Sequence, residues 1–151
     1  MSAFSKQVAQ TTAATREEAK RVLSKTKMLK HPAVKEAFEM FPLNLRKKVS
    51  ISLASYSNTV FLTMTMYDLD SFKDKRFTSL LERFIDWNTS TSDYTHGVPN
   101  KDVRFDKTFD DIMVSVTVMA YVKEESPLCR IVTTGFTEEV VRREIKQIVC
   151  A

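Results

Sequence analysis

Three groups of residues in this chain have types and spacings that could do chemistry. The first is acidic. Asp68, Asp70 and Asp74 lie close together, as do Asp102, Asp106, Asp110 and Asp111. Carboxylates clustered in this way suit a divalent cation, but the first group lacks the central Gly and closing Glu of a calcium loop. Both groups read instead as caps and turn residues, because Asp oxygens accept the free N–H groups of helix starts and tight turns. The second is His96 in Thr95-His96-Gly97, for which Asp93 is the one nearby carboxylate able to orient a general base. That pair alone does not make a catalytic site, and no catalytic residue is assigned.

The third group is cationic and aromatic. Arg16, Lys20, Arg21, Lys25, Lys27 and Lys30 recur at helical spacing, and Arg46, Lys47 and Lys48 follow. Such cations can neutralise phosphates without regard to base sequence. Phe61, Tyr67 and Tyr121 stand at positions where strand alternation puts them on the face away from the core. Aromatic rings on an open sheet can stack bases, and neighbouring hydroxyls can hold phosphate.

Charge divides along the chain in the same sense. Of the net +4, residues 1–48 carry +7 (11 Lys/Arg against 4 Asp/Glu) and residues 49–151 carry −3. A basic arm on a mildly acidic body is the asymmetry of a protein that meets an anionic partner. No phosphate-binding glycine loop, dinucleotide fingerprint, nucleophile elbow or zincin motif occurs, and only 2 Gly are present. No metal or cofactor is therefore expected. Cys129 and Cys150 are too few for a disulfide framework and are expected as free, mostly buried thiols in a reducing compartment. The start lacks a secretory apolar core and no run reaches membrane-span length, so a cytoplasmic protein is expected.

The elements that must position these residues follow from periodicity. Residues 1–14 are small and polar and are expected to fray as a flexible N-terminus. Residues 15–151 then form a single α+β domain that includes a basic helical arm, 15–48. Thr15-Arg16-Glu17-Glu18 reads as a capping box opening a helix that ends before His31-Pro32. A second short helix places Val34, Ala37, Phe38 and Phe41 on one face.

From Val49 the period becomes two. Val49, Ile51 and Leu53, then Val60, Leu62, Met64 and Met66, alternate with hydroxyls and aromatics, which predicts a hairpin. A helix is expected from about Ser71 to Trp87, a long loop over 88–100, strands near 101–109, 112–120 and 129–135, and a closing helix capped by Thr137. In that helix Val141, Ile145, Ile148 and Val149 would face inward.

Val49–Tyr56 aligns without a gap on Val114–Tyr121. Each copy precedes a second strand and an amphipathic stretch, which suggests two ββα-like units. The expected architecture is a five-stranded, mainly antiparallel sheet with helices on one face and a helical N-terminal extension. The core should include Phe38, Leu53, Leu62, Phe84, Val116, Val118 and Ile145.

The helix–strand–strand–strand–helix order over 71–149 is similar to the double-stranded-RNA-binding fold. Glu138 and Glu139, however, would stand where phosphate-binding lysines are needed, and no family is identified. The expected function is non-catalytic nucleic-acid binding, DNA or RNA, through the arm and the adjoining sheet face. The second expectation is a protein-binding regulator or assembly module, a homodimer through the hydroxyl-rich face.

Overall fold

Ser2 starts the first helix. Its hydroxyl accepts the Ser5 N–H at 3.1 Å, and helix α1 runs Ala3–Lys27. The computed structural model describes residues 2–94, 97–124, 128–137 and 143–151. The segment expected to fray is thus helical from Ala3, and the expected capping box does not form. Thr15 lies inside α1, where its hydroxyl donates to the Thr11 carbonyl at 2.9 Å, and Glu18 holds Arg21 instead of reaching back. Ala and hydroxyl side chains that back-bond within the helix carry it through a segment with little apolar patterning.

After a single 3₁₀ turn, Met28–Lys30, the His31 Nδ1 accepts the Ala33 N–H at 3.2 Å and Pro32 takes the first position of helix α2, Pro32–Glu39. Strand β1 is Ser50–Leu53 and strand β2 is Thr59–Leu69. Helix α3, Lys75–Glu82, is shorter than the sequence predicts. Asp74 caps it through the Arg76 N–H at 2.9 Å, and Ser71 satisfies Lys73 just ahead of it. Strands β3 (Asn88–Tyr94), β4 (Asn100–Phe109) and β5 (Ile112–Val122) complete one sheet of order β1-β2-β5-β4-β3.

That sheet is mixed, which corrects the expectation of a mainly antiparallel one. Sequence neighbours pair antiparallel, but β2 and β5 pair parallel, with Val60 opposite Val114 and Met64 opposite Val118. Local alternation specifies faces and cannot specify a partner about fifty residues away. The paired ββα-like units are not confirmed. Val49–Tyr56 spans a short edge strand and its turn, whereas Val114–Tyr121 lies in the central strand.

Strand β3 replaces the expected long loop. It has no apolar residue apart from Tyr94, all seven residues are exposed, and its register is held by β4. An edge strand of Thr and Ser carries no hydrophobic alternation to find.

The inner face of the sheet is the core. Val60, Leu62, Met64 and Met66 of β2 and Val114, Val116, Val118 and Ala120 of β5 are buried, with Val103 and Phe105 of β4. Over them pack Ala33, Val34 and Ala37 of α2 and Phe77 and Leu80 of α3. An aromatic chain binds the layers: Phe84 stacks on Phe105 at 5.3 Å and meets Phe41 and Trp87 at 5.4 Å each. Of the expected core, Leu62, Phe84, Val116 and Val118 are fully buried, and Phe38 and Leu53 are half-buried against it.

Ile145 is exposed, because the expected closing helix is a strand over its described part. Strand β6, Cys129–Thr137, pairs antiparallel with β7, Arg143–Cys150, as a separate two-stranded sheet. Ile145, Ile148 and Val149 fit a helical period, but in the strand only Ile148 is buried. Thr137 is the last residue of β6, and Glu138, Glu139 and Val141 lie outside the described residues. Cys129 faces Cys150 across the ladder, Cα atoms 4.1 Å apart, and the two form a disulfide. This corrects the expectation of free thiols: the predicted helix had removed Cys150 from its partner strand. No helix of the described residues is long and apolar enough to cross a membrane.

Candidate functional site

The outer face of the sheet and its edges position the candidate residues. Strand alternation puts Thr63, Thr65 and Tyr67 of β2 on the outer face, and Thr117, Met119 and Tyr121 of β5 beside them. Cross-strand register then aligns Ser90, Arg104, Thr117, Thr63 and Ser50 in one row across all five strands. Arg104 lies 5.9 Å from the Phe61 ring and bonds Asp106 at 2.9 Å. Phe61 is thereby occupied in mid-sheet. Asp102 and Asp106 make the middle of this face unfavourable for phosphate. Burial holds the Asp102 carboxyl above the usual range, although the Tyr94 hydroxyl hydrogen-bonds to it; the Asp102 charge in turn raises the Tyr94 phenol.

At the far end of β2 the register shifts. Asp68 takes a positive φ of 59°, and an extra residue enters between Met66, opposite Ala120, and Leu69, opposite Val122. Asp tolerates that conformation better than most residues, and a bulge there increases the local twist. Beside it the Tyr67 and Tyr121 rings stack with centroids 5.4 Å apart and planes 20° from parallel. Tyr67 is exposed.

β1 covers β2 only from Val60 to Thr63, so the strand edge from Met64 onward has no β-partner on that side among the described residues. A groove of about 520 Å³ opens along this edge. Its floor is Leu45, Met64, Met66 and Leu80, and Tyr67 stands at its side. Around it stand Lys48, from the 3₁₀ turn Arg46–Lys48, and Lys75, Arg76 and Arg83 of and after α3. No lining residue is acidic.

Two of these cations are held in place. Arg76 bonds Asp74 at 2.7 Å and thereby holds the Asp74 carboxyl below the usual range, and Arg83 donates to the Met40 carbonyl at 2.9 Å. Lys48 and Lys75 have no ion pair among the described residues. Lys48 and Lys75 stand beside the fixed Arg83 and the Asp74-paired Arg76, so positive charge concentrates at this rim.

The sequence-predicted cations divide into used and free. Lys20 pairs with Glu17 at 3.2 Å, and Arg21 pairs with Glu18 while donating to the Ser55 carbonyl at 2.9 Å. Lys25 donates to the Ala54 carbonyl at 2.7 Å and to that of Ser55. Arg46 donates to the carbonyls of Phe41 at 3.0 Å and Glu39 at 2.7 Å. Arg21 and Lys25 therefore moor the arm to the β1–β2 turn, and Arg46 braces the chain after α2. Arg16, Lys27, Lys30 and Lys47 carry no ion pair among the described residues. Lys27 and Lys30 flank a hollow with His31, Asn58 and Asp111.

The arm and the tyrosines are not brought together. The arm is moored near Thr59, and Tyr67 lies eight residues along the strand, about 26 Å away. Lys48 and Tyr67 do meet in one groove. Sequence reasoning missed Lys75, Arg76 and Arg83 because their helix was read for its apolar stripe. Their clustering on its polar side was the available signal. His96 lies outside the described residues. Asp70 bonds Lys123 at 2.8 Å, and Asp110 meets His31 at 3.0 Å in the β4–β5 turn.

Comparison with protein-family models, curated proteins and solved structures finds no match to this chain.

Proposed function

We propose that the protein binds single-stranded nucleic acid, DNA or RNA, without catalysing a reaction, and that the groove at the open edge of β2 is the contact surface. The observation that carries this reading is a rim of four cations with no acidic lining residue, ending at an exposed tyrosine. Lys48, Lys75, Arg76 and Arg83 would meet successive phosphates, and Tyr67, backed by Tyr121, would stack a base. The free cations of the arm, Arg16, Lys27 and Lys30, add a second, sequence-independent contact for a longer strand. The floor of the groove is apolar, which favours an unpaired strand with its bases turned in over a rigid duplex.

A second reading rests on the bare strand edge itself. The edge of β2 that faces away from β5 beyond Thr63, with no strand partner among the described residues, can accept an added strand, and the cationic rim would select an acidic peptide. Fluorescence anisotropy of a labelled twelve-nucleotide strand separates the two. Nucleic-acid binding predicts saturable binding that an unlabelled single strand displaces better than a duplex. If a poly-glutamate peptide displaces the strand while unlabelled single strand does not, the peptide reading replaces it.

A further inference from the structure

Strands β6 and β7 form a two-stranded sheet of their own beside the five-stranded one. A ladder of two strands is marginal in water unless something else holds it. Its docking on the body is slight. Of the side chains described in the two strands, only Cys129 and Ile148 are buried, and Ile131, Val132 and Cys150 are half-buried. Farther along, the register shifts between Thr133 and Gly135, and a bulge there interrupts the ladder. β7 lies against β3, an edge strand whose own seven residues are all exposed.

Cys129 is the first residue of β6 and Cys150 the last of β7, so their disulfide closes the open end of the hairpin. Alternation puts Cys129, Ile131, Ile148 and Cys150 on one face, with Ile131 directly opposite Ile148. The disulfide is therefore both the clasp of the hairpin and half of the patch by which it docks. With the sulfur–sulfur bond broken, the other half, a single isoleucine pair, has to hold two strands in place. The five-stranded sheet has no such dependence, since Leu62, Phe105 and Val116 are buried under α2 and α3.

We infer that the Cys129–Cys150 disulfide is a redox switch: oxidised, it keeps the hairpin closed on the body, and reduced, it lets β6 and β7 open while the five-stranded sheet stays folded. The reductant is a dithiol. One of its thiolates attacks Sγ of Cys150, the half-exposed partner, and forms a mixed disulfide while Cys129 leaves and takes up a proton. The second thiol of the reagent then attacks the reagent's own sulfur in that mixed disulfide, and Cys150 leaves and is protonated in turn. Two electrons and two protons pass to the cysteines, and the dithiol ends as a cyclic disulfide.

Hydrogen–deuterium exchange on the full chain, with and without dithiothreitol and without nucleic acid, tests this independently of the groove. On the chain-entropy model a cross-link of sequence separation 21 is worth roughly a hundredfold in an opening constant, so reduction should speed exchange in β6 and β7 by about that factor. In the reduced protein the hairpin amides should exchange well ahead of those of β2 and β5, and reoxidation should slow them again. Iodoacetamide should then alkylate Cys129, which is buried while the hairpin is closed. Cys129→Ser/Cys150→Ser should show the reduced pattern with no reductant present. Hairpin exchange unchanged by reduction, a Cys129 thiol that stays unreactive, or hairpin and core amides exchanging together at one rate in the reduced protein would each overturn the inference.

Discussion

Ser115 sits in the middle of the central strand, opposite Phe61 on one side and Asp106 on the other, and its side chain is fully buried. Its hydroxyl has no hydrogen-bond partner among the described residues. Its neighbours in β5, Val114 and Val116, point to the other face. A buried hydroxyl without a partner costs about 1–3 kcal/mol relative to its hydrated state in the unfolded chain. Ser115→Ala removes that cost and forfeits only the contacts of one oxygen, each about 0.1–0.2 kcal/mol. The variant should gain roughly 1 kcal/mol, which for a domain of this size raises Tm by about 2–4 °C. Urea and thermal melts followed by circular dichroism measure this directly, and the urea slope should be unchanged. A Tm lowered by several degrees would mean that the hydroxyl is bonded and that the outer face is arranged differently around Ser115.

Leu62→Ala should destabilise by about 2–5 kcal/mol in urea unfolding, since its side chain is fully buried at the centre of the sheet; a loss below 1 kcal/mol would contradict the core assignment. Asp74→Ala should cost about 0.5–2 kcal/mol through loss of the α3 cap, and Asp74→Asn much less. The lowered Asp74 carboxyl contributes stability that is present above the unfolded value of about 3.9 and disappears as pH falls through the lower folded value. Asp74→Asn should flatten that part of the acid profile, and an unaltered profile would remove the charge from the account. Reduction of the disulfide frees a loop of sequence separation 21. Melts with and without reductant should differ by about 3 kcal/mol on the chain-entropy model, and identical melts would speak against the pairing.

The parity of the core strands was legible in the sequence because alternation with period two fixes which residues share a face. Val60 to Met66 and Val114 to Ala120 fall on the inner face as that rule requires. What alternation cannot carry is partnership. The parallel β2–β5 pairing, the edge strand Asn88–Tyr94 and the β6–β7 hairpin each depend on contacts remote in sequence. The disulfide was hidden for the same reason. At the candidate site Lys48, Tyr67 and Tyr121 were legible as a cation and two rings of the same parity. Their meeting with Lys75, Arg76 and Arg83 depends on where α3 crosses the edge of β2, and no local pattern encodes that. The basic arm shows the converse: Arg21, Lys25 and Arg46 look free in sequence and are bound to backbone carbonyls in the fold.

The central claim, that the groove at the β2 edge holds phosphates, is tested most directly by the salt dependence of single-strand binding in the parent and in Lys48→Ala/Lys75→Ala. Both lysines lack an ion pair among the described residues, so their removal breaks no ion pair there. Each cation that meets a single strand contributes about 0.7 to the slope of log affinity against log salt. The account predicts a linear dependence in the parent and a slope shallower by about 1.4 in the double variant, with weaker binding at low salt. Equal slopes and equal affinities in the two proteins would contradict it.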